Sequence, residues 1–181
     1  MNYQNIPFPN STDDLINACK NVVTDIEKMF SKKSETSCYL SDFYRKGDKN
    51  RKFEETLKKE FGLSLGDVKG LYVFANEIDG EIKPYYVGIS RNVIRRLGQH
   101  VFGKHKNHAT LAYLKSKSQR TKDSSDIGDL EYFELHRENF QNDIAKSRLA
   151  IREISDDYEL YMAEIFVACH FKCEWNSFKT H

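Results

Sequence analysis

The spacing of apolar residues gives the chain two kinds of stretch. Leu15, Ala18, Val22, Ile26, Met29 and Phe30 recur at helical intervals. Ser11 or Thr12 offers an N-cap before them, and Asp13 and Asp14 suit the positive end of a helix dipole. A helix running to about Phe30 is predicted. Residues 1–10, with Pro7 and Pro9, read as a loosely held arm. The stretch 31–51 is polar and charged around Tyr39, Leu40, Phe43 and Tyr44 and takes no assignment. Arg51 to Phe61 predicts a second helix, with Phe53, Leu57 and Phe61 on one side and Gly62 as its stop.

From Gly70 the pattern becomes that of strands. Leu71–Ala75 and Tyr85–Ile89 are short apolar and aromatic runs, and the polar segment between them holds the turn signal Asp79-Gly80, so a hairpin is predicted. Ser90 can cap the helix that follows, with Val93, Ile94, Leu97 and Val101 inward and Arg91, Arg95 and Gln99 outward. Asn107–Lys117 predicts a basic helix and Lys115–Gly128 a polar loop. Leu130, Tyr132, Phe133 and Leu135 suggest a third strand, followed by helices at about 138–151 and 156–171. Helices, then ββα, then β, then helices imply an α+β fold. The expected form is a small antiparallel β-sheet of about three strands flanked by helices. Residues 1–68 would be an arm and helical extension packed on a core at 69–181, with an inserted basic helix and loop at about 103–128.

Charge changes this picture more than composition does. The net charge is +1, yet residues 82–122 hold 10 Lys or Arg and not one Asp or Glu, while 123–164 hold 4 against 12. A basic block of that length is a footprint for a polyanion, because cations near phosphates release condensed counterions. The bland alternative is a solvated basic surface balanced by the acidic stretch after it. Four cysteines (Cys19, Cys38, Cys169, Cys173) make no disulfide framework in 181 residues and read as reduced thiols. Cys169 and Cys173 lie one helical turn apart, but no second ligand pair is near them in sequence, and buried helix cysteines are the stronger reading over zinc. No apolar run approaches the roughly 18 residues that span a bilayer, and the N-terminus lacks a signal pattern, so a soluble, cytoplasmic protein with no membrane partner is expected.

Gly70-Leu71-Tyr72 and Tyr86-Val87-Gly88 are weak signals singly, but they stand on adjacent strands of one predicted hairpin, and an arginine-rich helix leaves from the second. This arrangement resembles the GIY-YIG nuclease family, whose two name tripeptides these would be. By the family's spacing, the expected arginine is Arg96, ten residues after Tyr86, and the expected histidine or tyrosine is His100, one turn on and on the same face. The family's metal-binding glutamate, twelve residues before an asparagine that follows an aromatic residue, corresponds to Glu164, with Trp175-Asn176 at that interval. The resemblance covers about residues 69–177. It departs from the family at Ile89, where many members have lysine, in a longer hairpin turn, and at Cys173 and Glu174, near which proline is common.

The resemblance implies catalytic residues Tyr72, Tyr86, Arg96, His100, Glu164 and Asn176. Their chemistry is intelligible without it. Hydrolysing a phosphodiester needs an activated water, a cation for the phosphoryl charge and help for the leaving alkoxide. Glu164 can hold Mg²⁺ or Mn²⁺, which takes few protein carboxylates. Arg96 is forked and permanently charged, suited to two phosphoryl oxygens. Tyr72 would orient or deprotonate water, with Tyr86 and His100 completing the relay, and Asn176 would tie the C-terminal segment to the hairpin. Arg91, Arg95, Lys104, Lys106 and His108 are the expected nucleic-acid contacts. His105 reads as a surface or phosphate contact, and Phe102 and Tyr113 as core that could otherwise stack on bases. The bland reading of a strand tyrosine is packing, and of Glu164 a paired core carboxylate.

The expected function is a metal-dependent endonuclease cutting DNA, double-stranded by preference, with the build of the family's stand-alone restriction or defence members and a homodimer as a plausible assembly. The alternatives are a nucleic-acid-binding module of the same fold without catalysis, and a structure-specific repair or recombination nuclease.

Overall fold

The computed structural model describes residues 11–31, 38–44 and 52–176, with the backbone alone for 52 and 53. The predicted arm 1–10 and most of the unassigned stretch lie outside the described residues. In chain order the elements are α1 (Thr12–Ser31), α2 (Leu40–Phe43), α3 (Lys52–Phe61), β1 (Gly70–Ile78), β2 (Glu81–Ser90), α4 (Val93–Phe102), α5 (Thr110–Lys122), α6 (Asp129–Ala145), β3 (Arg148–Glu153) and α7 (Asp157–His170). The strands form one antiparallel sheet in the order β2-β1-β3. The fold is α+β, as expected.

α1 begins where the sequence places it, with Ser11 Oγ accepting from the Asp14 N–H at 3.0 Å. The hairpin is longer than its apolar runs suggest, because β1 and β2 stay paired out to Ile78 and Glu81. Asp79 and Gly80 both take positive φ, 54° and 77°, which is the mirror-image turn whose twist matches that of paired strands. The α4 cap lies two residues later than predicted. Asn92 Oδ1 accepts from Arg95 N–H at 2.9 Å, and Ser90 Oγ instead accepts from Asn92 N–H at 3.0 Å.

Three predictions about the second half are wrong. Residues 130–135 are not a strand but the first turns of α6. Tyr132 and Phe133 are buried on one helix face while Leu130 and Leu135 stand 48% and 67% exposed, and Asp129 and Glu131 sit at the positive end of the dipole. The predicted helix 138–151 stops at Ala145, and 148–153 form β3 instead. Ile151 continues the helical face of Phe140 and Ile144, while Leu149 and Ile151 together fit a strand period, so the short run gave mixed signals. The sheet edge decides the matter. β3 pairs with β1 from Gly70↔Glu153 to Ala75↔Arg148, while Leu149 N–H donates to Cys38 O and Ser147 O, just before the strand, accepts from Leu40 N–H, both at 2.9 Å. The loop predicted from Lys115 is helical to Lys122 in α5.

β1 is central and buried on both faces. Leu71, Val73 and Ala75 join Val22, Val23 and Ile26 of α1 and Leu160, Ala163 and Val167 of α7 in one apolar cluster. Tyr72 and Phe74 join Tyr86 of β2, Leu97 of α4 and Phe133 of α6 in the other. One strand thus carries two unlike faces at its period of two. Among the described residues no helix is long and apolar enough to cross a membrane.

Candidate active site

The Tyr72 face of the sheet is a cluster of rings. Tyr72, Phe74, Tyr86 and His100 lie with centroids 5.3–6.1 Å apart, mostly tilted or edge-on, the geometry ring quadrupoles favour. The register explains why both motifs carry glycine. Gly88 is the cross-strand partner of Tyr72, and a Cβ there would sit 2.5 Å from the Tyr72 hydroxyl oxygen and 2.7 Å from Cζ. A Cβ at Gly70 would drive into the carbonyl oxygen of Arg152 on β3. The first glycine lets β3 approach, and the second lets the phenol lie flat across the hairpin.

Tyr72 Oη and His100 Nε2 are 2.7 Å apart in a buried hydrogen bond. Burial, with the Arg96 charge beside it, holds the His100 imidazole well below its ordinary pKa, so it is neutral at physiological pH. With Nε2 accepting the phenol proton, Nδ1 carries the ring hydrogen, and Nδ1 is buried with no partner among the described residues. Such an orphaned polar atom costs stability. Burial pushes the Tyr72 phenol well above its usual value, Tyr86 adds to the rise, and Arg96 opposes it. Tyr86 is also raised by burial, with the Tyr72 hydroxyl and Arg96 opposing the rise and Glu164 adding to it.

Arg96 leaves α4 half-buried, on the side of the α4–α5 loop. Its Nη1 donates to Gln99 Oε1 (3.2 Å), Asn107 O (3.3 Å) and His108 O (3.0 Å), and its Nη2 to Thr110 Oγ1 (3.2 Å). All four acceptors are neutral, and no carboxylate pairs with this guanidinium among the described residues, so its charge remains available to an anion. Gln99 and Thr110 were missed from the sequence, although the i, i+3 interval between Arg96 and Gln99 is a readable signal.

Glu164 projects from α7 and is half-buried. Desolvation alone raises its carboxyl from 4.5 to about 7. It has no hydrogen bond or ion pair among the described residues, so the paired core carboxylate of the bland reading is absent there. Its charge acts on Tyr86 of the ring cluster, and α7 packs against β2. Asn176 is apart from this group. Its Nδ2 donates to Cys173 O at 3.0 Å, its Oδ1 is buried without a partner among the described residues, and the tie to the hairpin is made next door by Trp175 N–H→Tyr85 O at 3.0 Å.

The basic block divides. Lys115 pairs with Asp143 (3.6 Å), and Lys117 and Arg120 with Asp129 (3.5 and 2.5 Å), so the acidic helix α6 neutralises its C-terminal part. Arg91 lies only 3.9 Å from Asp157 and is 82% exposed, Lys83 pairs with Glu81, and Lys106 lies 5.8 Å from the Tyr113 ring centroid. Arg95, Lys104 and His108 are exposed along α4 and the loop after it. The His105 and His108 rings stand 5.9 Å apart. Cys173 is buried and Cys169 exposed, and no group of three or more His, Cys, Asp or Glu side chains gathers as a metal cluster among the described residues.

The family model for the GIY-YIG catalytic domain matches residues 68–143. The match takes in both motifs, Arg96 and His100 and ends before β3, Glu164 and Asn176. No curated protein and no solved structure matches the chain. The hairpin with its two motif glycines and the arginine helix lie within this match, so residues 68–143 are similar to the catalytic domain of the GIY-YIG nucleases, and the match supports membership of that superfamily.

Proposed function

We propose that the protein is a divalent-metal-dependent endonuclease that hydrolyses DNA phosphodiester bonds, with Tyr72, Tyr86, Arg96, His100 and Glu164 as one active site. The observation that carries this reading is Glu164, half-buried and without a hydrogen bond or ion pair among the described residues, with its charge acting on Tyr86 of the ring cluster. A carboxylate raised to about 7 by desolvation, with no cation paired to it among the described residues, fits a hard divalent ion. One carboxylate suits Mg²⁺ or Mn²⁺, which keep water and substrate oxygens as further ligands, and does not suit structural zinc. Bound there, such an ion supplies charge neutralisation at the phosphoryl group and lowers the pKa of water.

The chain's own residues do the rest. Arg96 offers an uncompensated guanidinium to the phosphoryl oxygens, and Gln99, Thr110 and the loop carbonyls fix its direction. Tyr72 orients the attacking water and passes its proton toward the neutral His100 at 2.7 Å, which spares it from ionising alone in a buried setting. Tyr86 completes the relay on the side of Glu164. Asn176 holds the C-terminal turn and acts on the reaction only through that position. Arg91, Arg95, Lys104, Lys106 and His108 contact the DNA backbone. Residues 1–68 form an extension of a core that begins near residue 69, a division supported by the start of the matched region.

The test is nicking or linearisation of supercoiled plasmid by the full chain in Mg²⁺, Mn²⁺ or EDTA. Cleavage that requires the metal supports the reading, and retained DNA binding without metal-dependent cleavage returns the protein to a binding module. Fixed fragments from double-stranded plasmid would indicate a restriction-type role, preference for flaps or forks a repair-type one, and sedimentation would show whether a homodimer cuts both strands.

A further inference from the structure

The outer face of α4 bears a feature the ring cluster does not use. A cleft of about 680 Å³ runs along it, floored by Tyr44 and rimmed by Arg95, Gln99, Phe102, Lys104 and His108. We propose that this cleft binds one unpaired nucleobase of the DNA substrate, with Phe102 as the stacking surface and Arg95 and Lys104 on the flanking phosphates. The inference rests on the nucleic-acid reading above and narrows it to DNA with a nucleotide out of the duplex stack.

Contact with a phosphate backbone needs only cations on a convex surface, whereas a concavity of this volume falls within the roughly 300–1,000 Å³ typical of small-ligand pockets. The remaining large apolar residues of α4 are buried, but Phe102 at its end is 43% exposed. A second cleft, about 740 Å³, shares Tyr44, Phe102 and Lys104 with the first, so the phenyl ring stands as a ridge between two hollows. The floor is rigid. Tyr44 Oη donates to Ile94 O at 2.6 Å, and the absence of a side chain at Gly98 admits the Tyr44 ring, since a Cβ there would lie 3.3 Å from Cε1.

Charge favours an anion flanking an apolar face. Among the described residues neither Arg95 nor Lys104 pairs with a carboxylate. The two acids lining the cleft are already engaged, Glu54 with Lys58 at 2.9 Å and Asp67 with the Asn92 amide at 2.5 Å. Gln99 joins the cleft to the proposed reaction centre, because its Oε1 accepts from Arg96 while its amide nitrogen remains for a base edge. A base inside a duplex has both faces covered by its neighbours, so only one outside the stack can lie on Phe102.

The experiment measures binding in EDTA, where nothing is cut. Three oligonucleotides carry 2-aminopurine: one bulged in a duplex, one paired in a continuous duplex and one in a single strand. The fluorescence of bound full-length protein is read for each. The bulged and single-stranded probes should bind about tenfold or more tighter than the continuous duplex, with quenched fluorescence, as expected for base stacking on an aromatic ring. Phe102→Leu should lose that advantage and the quenching while leaving duplex binding unchanged, and Phe102→Trp should keep both. Thermal melting confirms that each variant is folded. Equal affinity for bulged and continuous duplexes, or a Phe102→Leu effect equal on both, overturns the proposal. Plasmid cleavage in Mg²⁺, scored separately, tells failure of the pocket from failure of the nuclease reading.

Discussion

The two faces of β1 are built from neighbouring residues and do different work. Toward α1 and α7 the strand presents Leu71, Val73 and Ala75, aliphatic groups that need only close packing. Toward α4 it presents Tyr72 and Phe74, and there the packing carries polar atoms: a phenol bonded to a buried imidazole, with a guanidinium nearby that pairs with no carboxylate among the described residues and a desolvated Glu164 whose charge acts on Tyr86. The first face stabilises at no polar cost. The second keeps an orphaned His100 Nδ1 and a desolvated Glu164, both of which a fold selected for stability alone would avoid. Unlike costs on one strand are the physical mark of a site.

That contrast can be broken by mutation. Glu164→Ala should have the largest effect on cleavage, a loss beyond about a thousandfold, as for removal of a principal electrostatic group. Glu164→Gln should be equally inactive yet melt higher than the parent at pH 8, since it removes a desolvated charge. Higher activity loss without any gain in melting temperature would show that Glu164 is not strained. Tyr72→Phe should cut the rate by about 10²–10⁴, the range for a lost acid–base group, with little change in DNA affinity measured in EDTA. On the opposite face, Leu71→Ala should cost about 2–5 kcal/mol in denaturant unfolding, with kcat near the parent's wherever the variant is folded.

A smaller effect concerns pH. The Glu164 carboxyl titrates near 7 when folded and near 4.5 otherwise, so the folded state binds the extra proton between those values. Stability from this group is therefore full at low pH and is lost as pH rises across that window. Metal affinity moves the other way, weakening by up to about tenfold per unit below pH 7 because the proton and the ion compete for one carboxylate. Calorimetric Mg²⁺ titration at pH 6 and pH 8 checks the sign. Equal affinities would remove Glu164 as the ligand.

Much of this could be read in the sequence where local period and motif agree. The hairpin, α4 with its inward Val93, Ile94, Leu97 and Val101, and the shared face of Arg96 and His100 follow from spacing within about thirty residues, whereas a relay of Tyr72 with His100 came from the resemblance alone. β3 could not, because Ile151 continues the helical face of Phe140 and Ile144, and the strand assignment depends on the open edge of β1 far away in sequence. Residues 130–135 misled for a related reason: an aromatic pair between exposed leucines imitates a strand until the helix that buries only the pair is known. The burial of Glu164 was equally hidden, since it depends on how α7 lies against β2. The meaning of the basic block changed most. Its Lys115–Arg120 portion is matched by α6, so the cations of the block without a partner on α6 include those of α4 and the loop beyond it.

The central claim is that Tyr72 and Glu164, on different elements and only one of them within the matched region, serve one reaction. Single-turnover cleavage of supercoiled plasmid in Mg²⁺ by the parent, Tyr72→Phe, Glu164→Ala and the double variant tests it most directly. Residues of one catalytic unit are expected to be non-additive, with the double variant no slower than the worse single variant. Full cleavage by either single variant, or losses that multiply in the double, would contradict the account.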